Sequence, residues 1–187
     1  MSQRANPCDC VHRIDSDGRI SFVNDAWLVF AEQNGWPVTA AQVIGSPLMQ
    51  QIADLETRHI YQLLIDSIRG GGRQARFLYR CDSPDRRRLM EMRVSGRAPG
   101  QVEFRSRVLR LEPREPVALL DPRHQNRSSD ILTVCSWCKA VLAEQTWVEV
   151  EQAVRRLAIL TERALPRISH GICPGCSERM KTAGEHR

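Results

Sequence analysis

The chain has 187 residues and a mass of 21.3 kDa, with 42% hydrophobic and 26% charged residues. This is the composition of a globular protein able to bury a core, and it excludes a disordered chain. The net charge is only +5, although the basic residues are 25 arginines against two lysines, Lys139 and Lys181; such a balance permits an acidic partner without demanding one. No apolar run approaches the 18 or so residues of a membrane helix. The N-terminal MSQRANPCDC lacks an apolar signal region, so a cytoplasmic protein with no membrane partner is expected. Seven cysteines in that setting point to metal or redox chemistry rather than a disulfide framework.

In chain order, Val11 to Asp15 and Arg19 to Val23 alternate apolar residues around the turn Ser16-Asp17-Gly18 and read as a β-hairpin. Asn24 or Asp25 can cap a helix over AWLVFAEQN that Gly35 ends. Thr39 opens a short helix closed near Gly45-Ser46-Pro47. Asp54 starts a longer one with Leu55, Ile60, Leu63, Leu64 and Ile68 at helical spacing, and Gly70-Gly71-Gly72 stops it. Three strands follow, Gln74 to Cys81, Arg88 to Val94 and Val102 to Leu111, joined by the turn sequences SPDR and SGRAPG.

This order, with an Asp-Gly turn, a strand and Phe22-Val23-Asn24 leading into a helix, resembles a PAS domain over roughly residues 11 to 112. The resemblance implies an α+β fold with a five-stranded antiparallel sheet in the order 2-1-5-4-3 and helices on one face. It also implies a sensor of small molecules, cofactors or redox state, with a ligand between sheet and helices and a tendency to homodimerise. The domain is placed at 8–112, with Trp27, Phe30, Phe77 and Tyr79 read as core or sheet-face residues. By the same resemblance the pocket could take haem, with His59 as the helical axial ligand of haem-binding PAS domains, or another ligand; on its residue type alone, His59 reads as a surface histidine.

Residues 113–130, with Pro113, Pro116 and Pro122 and a polar second half, read as a linker to a unit at 131–187. There, Cys135-Ser-Trp-Cys138 and Cys173-Pro-Gly-Cys176 form two CxxC pairs, which aim four sulfurs at one point and match a tetrahedral structural zinc site, with an iron centre as the lesser alternative. Four thiolates exclude hard cations and leave no open catalytic position. Pro174 suits the first turn of a helix running on through Lys181, which gives a treble-clef-like arrangement. Trp147, Val150, Val154, Leu157 and Leu160 predict an amphipathic helix from Thr146 to about Leu160.

The same segment resembles the CSxCKKI…SHGICPxC zinc-binding tail of bacterial signalling proteins. It reads CSWCKAV, then Trp147 and Glu151, then Ser169-His170-Gly171-Ile172-Cys173-Pro174-Gly175-Cys176, with Ala140 where the tail usually has a second lysine. His170 reads as supporting the site without ligating the metal.

Cys8, Cys10 and Cys81 are the remaining redox or ligand-sensing candidates, with His12 on the same strand side as Cys8 and Cys10. The stretch Arg80 to Arg88 could bind an anion or form a hairpin loop in which Asp82 and Asp85 pair with arginines. No nucleophile–base pair and no nucleotide motif is visible, so no enzymatic activity is expected. The sequence points to a sensor or signalling adaptor that acts on a protein partner; the alternative is a zinc-dependent nucleic-acid-binding regulator.

Overall fold

The computed structural model describes residues 9–52, 55–72, 74–121, 124–157 and 164–183, so Cys8 lies outside the described residues. The N-terminal half runs β1 (Cys10–Ile14), β2 (Ile20–Val23), α1 (Asp25–Gln33), α2 (Ala40–Val43), α3 (Leu48–Gln51), α4 (Leu55–Arg69), β3 (Gln74–Arg80), β4 (Arg86–Gly96) and β5 (Val102–Pro113). The strands form one antiparallel sheet in the order β2-β1-β5-β4-β3. This is the order the PAS resemblance implies.

Local chemistry explains the joints. Gly18 takes a φ of 75° in the β1–β2 turn, where the Asp15 carboxylate accepts from the Asp17 and Arg19 N–H groups. Asn24 caps α1 by accepting from Trp27 N–H at 3.0 Å. The same oxygen accepts from Val11 N–H at 2.9 Å, which ties the helix to β1. Thr39 and Gln42 close a capping box on α2. Along α4 the buried residues are Ile60, Leu64, Ile65 and Ile68, while the expected core residues Leu55 and Leu63 are exposed. At about 100° per residue, Ile65 and Leu63 lie on opposite flanks of the Ile60–Leu64–Ile68 stripe, and the helix is rotated over the sheet so that the Ile65 flank is the buried one.

The C-terminal half contains β6 (Arg127–Cys135), β7 (Val141–Ala143), β8 (Thr146–Val148), α5 (Val150–Arg156), β9 (Leu165–Gly171) and α6 (Pro174–Ala183). Its sheet order is β8-β7-β6-β9, with β9 parallel to β6. Two sequence expectations differ from this. In the segment read as a linker, Val117 and Leu119 are buried in the second core and β6 already begins at Arg127. The helix expected from Thr146 starts at Val150, because Glu144 and Gln145 both take positive φ (47° and 68°). Two successive left-handed residues make a tight hairpin turn that pairs Ala143 with Thr146 and sends 146–148 back as a strand. Leu160 lies outside the described residues.

The halves share one core. Cys135, Trp137, Cys173 and Cys176 belong to the same buried cluster as Phe77, Met92, Val94 and Phe104 of the first sheet.

Candidate metal centre

Parallel pairing builds the site. Cys135 ends β6 opposite Gly171 at the end of β9, so the strand that leads to the second CxxC is delivered beside the first. The first pair sits in a knuckle: Cys135 N–H donates to Ala140 C=O at 2.7 Å, Lys139 N–H donates to Cys135 C=O at 3.0 Å, and Lys139 turns the chain with a φ of 61°. The second pair sits at the start of α6, where Cys176 and Ser177 N–H both donate to Cys173 C=O. The Cys173 N–H donates to the Cys135 sulfur at 3.4 Å, and Arg179, one turn along α6, donates to the Cys176 sulfur at 2.9 Å.

All four sulfurs lie within 4.8 Å of one another, none is in a disulfide, and Cys138 Sγ is 3.7 Å from Cys173 Sγ. Thiolates about 2.3 Å from a central ion stand about 3.8 Å apart at tetrahedral angles. The donor set therefore fits a four-coordinate soft metal ion. One sulfur of the cluster is stabilised as the anion: the Cys138 thiol and nearby backbone amides, including that of Cys173, pull the Cys135 thiol down, against the cost of burial. Burial, followed by the charge on Cys135, pushes the Cys176 thiol up to about 11. His170 is exposed on β9 opposite Val134 and is not part of the sulfur cluster.

The metal knuckle is not a remote tail. Trp137 is buried with its ring edge-on to Phe77 (centroids 5.0 Å apart) and Tyr79 (6.4 Å) on the helix-covered face of β3. Its carbonyl accepts from Arg80 N–H at 2.6 Å. Around this seat, Arg80 reaches both Asp82 and Glu149, Arg87 pairs with Glu151 at 2.7 Å, and Arg114 bridges Asp82 (3.3 Å) and Glu151 (3.2 Å). The Asp82 side chain is fully buried, so the 80–88 stretch is an acid–arginine network as expected, but part of it is closed off from solvent and holds two units together. Trp137 lies within the CSWC motif in plain view, but nothing in the sequence says which surface its ring meets.

The other candidates fall elsewhere. Cys10 lies opposite Ser106, which lies opposite Met92, which lies opposite Phe77; three strand steps of about 4.8 Å separate β1 from β3. Cys10 donates to Ala26 C=O at 3.5 Å, and burial raises the Cys81 thiol. Neither joins a metal-ligating cluster among the described residues. His59 is exposed on α4, which places it on the surface rather than in the core.

His12 faces the helices, stacked on Phe104 at 4.7 Å, and its buried Nε2 has no hydrogen-bond partner among the described residues. Burial lowers its imidazole from 6.5 to about 4. An unfolded chain takes up this proton below about pH 6.5 and the folded chain only near pH 4. Stability is therefore complete above 6.5 and falls by about 3 kcal/mol on acidification to pH 4. Urea midpoints measured from pH 8 to 4 should fall more steeply in the native chain than in His12→Phe; parallel curves would show that His12 takes up its proton alike in the folded and unfolded chain.

None of the family models and none of the curated proteins compared with the chain matches it. Among solved structures it is similar to the PAS domain from Bordetella pertussis BvgS, with 16% identity over 54% of this chain and 72% of that one and a TM-score of 0.37. The PAS-like character of the N-terminal half rests on its sheet order and the helices packed on one face. Among the described residues no helix is long and apolar enough to cross a membrane.

Proposed function

We propose that the protein is a bacterial, cytoplasmic sensor or signalling adaptor. Its PAS-like unit receives a ligand or redox signal, and its four-thiolate module holds a structural zinc ion. The observation that carries this reading is the seating of the metal knuckle, through Trp137, on the helix-covered face of the PAS-like sheet. A rearrangement of that face reaches the knuckle directly, and loss of the metal reaches the sheet. Zinc is favoured over iron because the four thiolates are spread over a knuckle and a helix start with the spacing of closed structural sites, and such a shell leaves no position for a substrate. The protein then acts by binding a protein partner, or a second copy of itself, rather than by catalysis.

Metal analysis together with an absorption spectrum of the untagged, natively purified protein tests this. One zinc per chain and no visible band is the expected result for the metal module. Charge-transfer bands of an iron–thiolate centre, or a metal-free protein that is fully folded, would overturn the zinc assignment. A small molecule released on denaturation and identified by mass spectrometry would supply the signal.

A further inference from the structure

The solvent face of the first sheet is built in an unusual way. Glu91 and Glu103 point away from the helices, yet their side chains are 0% and 2% exposed because arginines cover them. Arg76, Arg93 and Arg107 enclose Glu91, and Arg13, Arg97 and Arg105 enclose Glu103. Arg105 also reaches Asp9 at 3.1 Å. Burial opposes ionisation of Glu103, but hydrogen bonds from Arg97, Arg13 and Arg105 outweigh it and hold the carboxyl down at about 2.

Three arginines per buried carboxylate is more than neutralisation requires. Even with Asp9 counted, six guanidiniums face three carboxylates, and the acids lie beneath the cations. Arg76 stands directly opposite Arg93, and Arg93 directly opposite Arg105, a row of three like charges across three adjacent strands spanning about 10 Å. Directly opposed like charges destabilise a sheet. A face selected only for stability would alternate charge; this one turns a positive surface outward.

We propose that this face binds the phosphate backbone of a nucleic acid. Guanidinium forks match phosphate oxygens bidentately, and all six cations are arginine. A second copy of the chain would bring the same surplus of guanidiniums against it. A protein partner would need a charge-depleted apolar centre, whereas protein–nucleic acid interfaces are polar and strongly positive. The surface lies on the side of the sheet opposite the Trp137 seat, so this assignment is independent of the sensor reading and of the metal.

Fluorescence anisotropy of the full-length protein with labelled 20-mer duplex and single-stranded DNA, from 50 to 200 mM salt, tests it. With four to six phosphates contacted, duplex affinity should fall about 10²–10³-fold over that range. Arg93→Gln with Arg105→Gln leaves two arginines on each glutamate and should reduce the slope of log affinity against log salt by about two; Arg93→Lys with Arg105→Lys should keep it. Circular dichroism and zinc content report whether these variants fold, and the salt slope of the native chain needs no variant. The proposal is overturned by absence of binding to either DNA at 50 mM salt, by an unchanged slope in the folded glutamine variant, or by capture of polyglutamate or phosphatidylserine vesicles without nucleic acid.

Discussion

Replacing Cys173 with serine is expected to abolish stoichiometric zinc binding and to unfold most of the C-terminal unit. The hydroxyl is a poor ligand for a soft ion, and loss of one sulfur opens a shell whose other three members stand within 4.8 Å of it. The unit has a thin core made of β6 to β9 and α5, so metal binding, about 10–16 kcal/mol for structural zinc at neutral pH, supplies much of its folding free energy. Cys173 N–H also donates to Cys135 Sγ, so the helix start and the knuckle lose their common centre together. The five-stranded sheet should survive, because Phe104, Val94, Ile14 and the α4 stripe do not depend on the metal. Zinc measured by atomic emission should drop from one per chain to none. Far-ultraviolet circular dichroism should keep part of its signal, and a chelator added to the native protein should reproduce the change. Retained stoichiometric zinc in Cys173→Ser, with the fold intact, would mean that these four cysteines are not the ligand shell.

The reasons why some features were legible in the sequence are local ones. The β1–β2 turn, the Asn24 cap and the Thr39–Gln42 box are short-range chemistry, written within a few residues of where they act. The CxxC spacing carries its geometry in the same way, and the four sulfurs do converge. Features set by distant partners were not legible. Periodicity on α4 could not choose between Leu63 and Ile65, because the choice depends on how the helix is rotated over the sheet. Positions 144 and 145 hold no glycine or asparagine to mark a left-handed turn, so the apolar spacing from Thr146 onward extends the expected helix over what is β8. Val117 and Leu119 lie among prolines and polar residues, and only the second core shows why they are apolar. The arginine cages were present as alternation, in RRRLMEMRVSG and VEFRSRVLRLEP, but a strand's solvent face ordinarily looks charged. What distinguishes these strands is register, which puts Arg76, Arg93 and Arg105 in one row.

Trp137→Ala should cost about 3–5 kcal/mol, as deletion of a large buried aromatic does, and its larger effect should be on cooperativity. The side chain joins the metal knuckle to Phe77 and Tyr79, in one continuous core with the first sheet. Its own backbone carbonyl is held by Arg80 N–H, and the surrounding pairs Arg80–Glu149 and Arg87–Glu151 are partly solvent-exposed and contribute little alone. With the indole gone, the cysteine cluster, the backbone bond from Arg80 N–H and the guanidinium of Arg114, buried between Asp82 and Glu151, still touch both halves, but the aromatic contact between knuckle and sheet is lost. The native protein should unfold in one calorimetric transition. Trp137→Ala should unfold in two, with one zinc per chain still bound, because no ligand has been touched. Trp137→Phe, which keeps an aromatic ring against Phe77, should restore much of the coupling. Chelation separates this from simple destabilisation: removing zinc should lower the midpoint of the five-stranded unit in the native chain and leave it unmoved in Trp137→Ala. A single transition at the native midpoint in the alanine variant would show that the halves stay coupled without the indole, and the sensor reading would lose Trp137 as its route from one unit to the other.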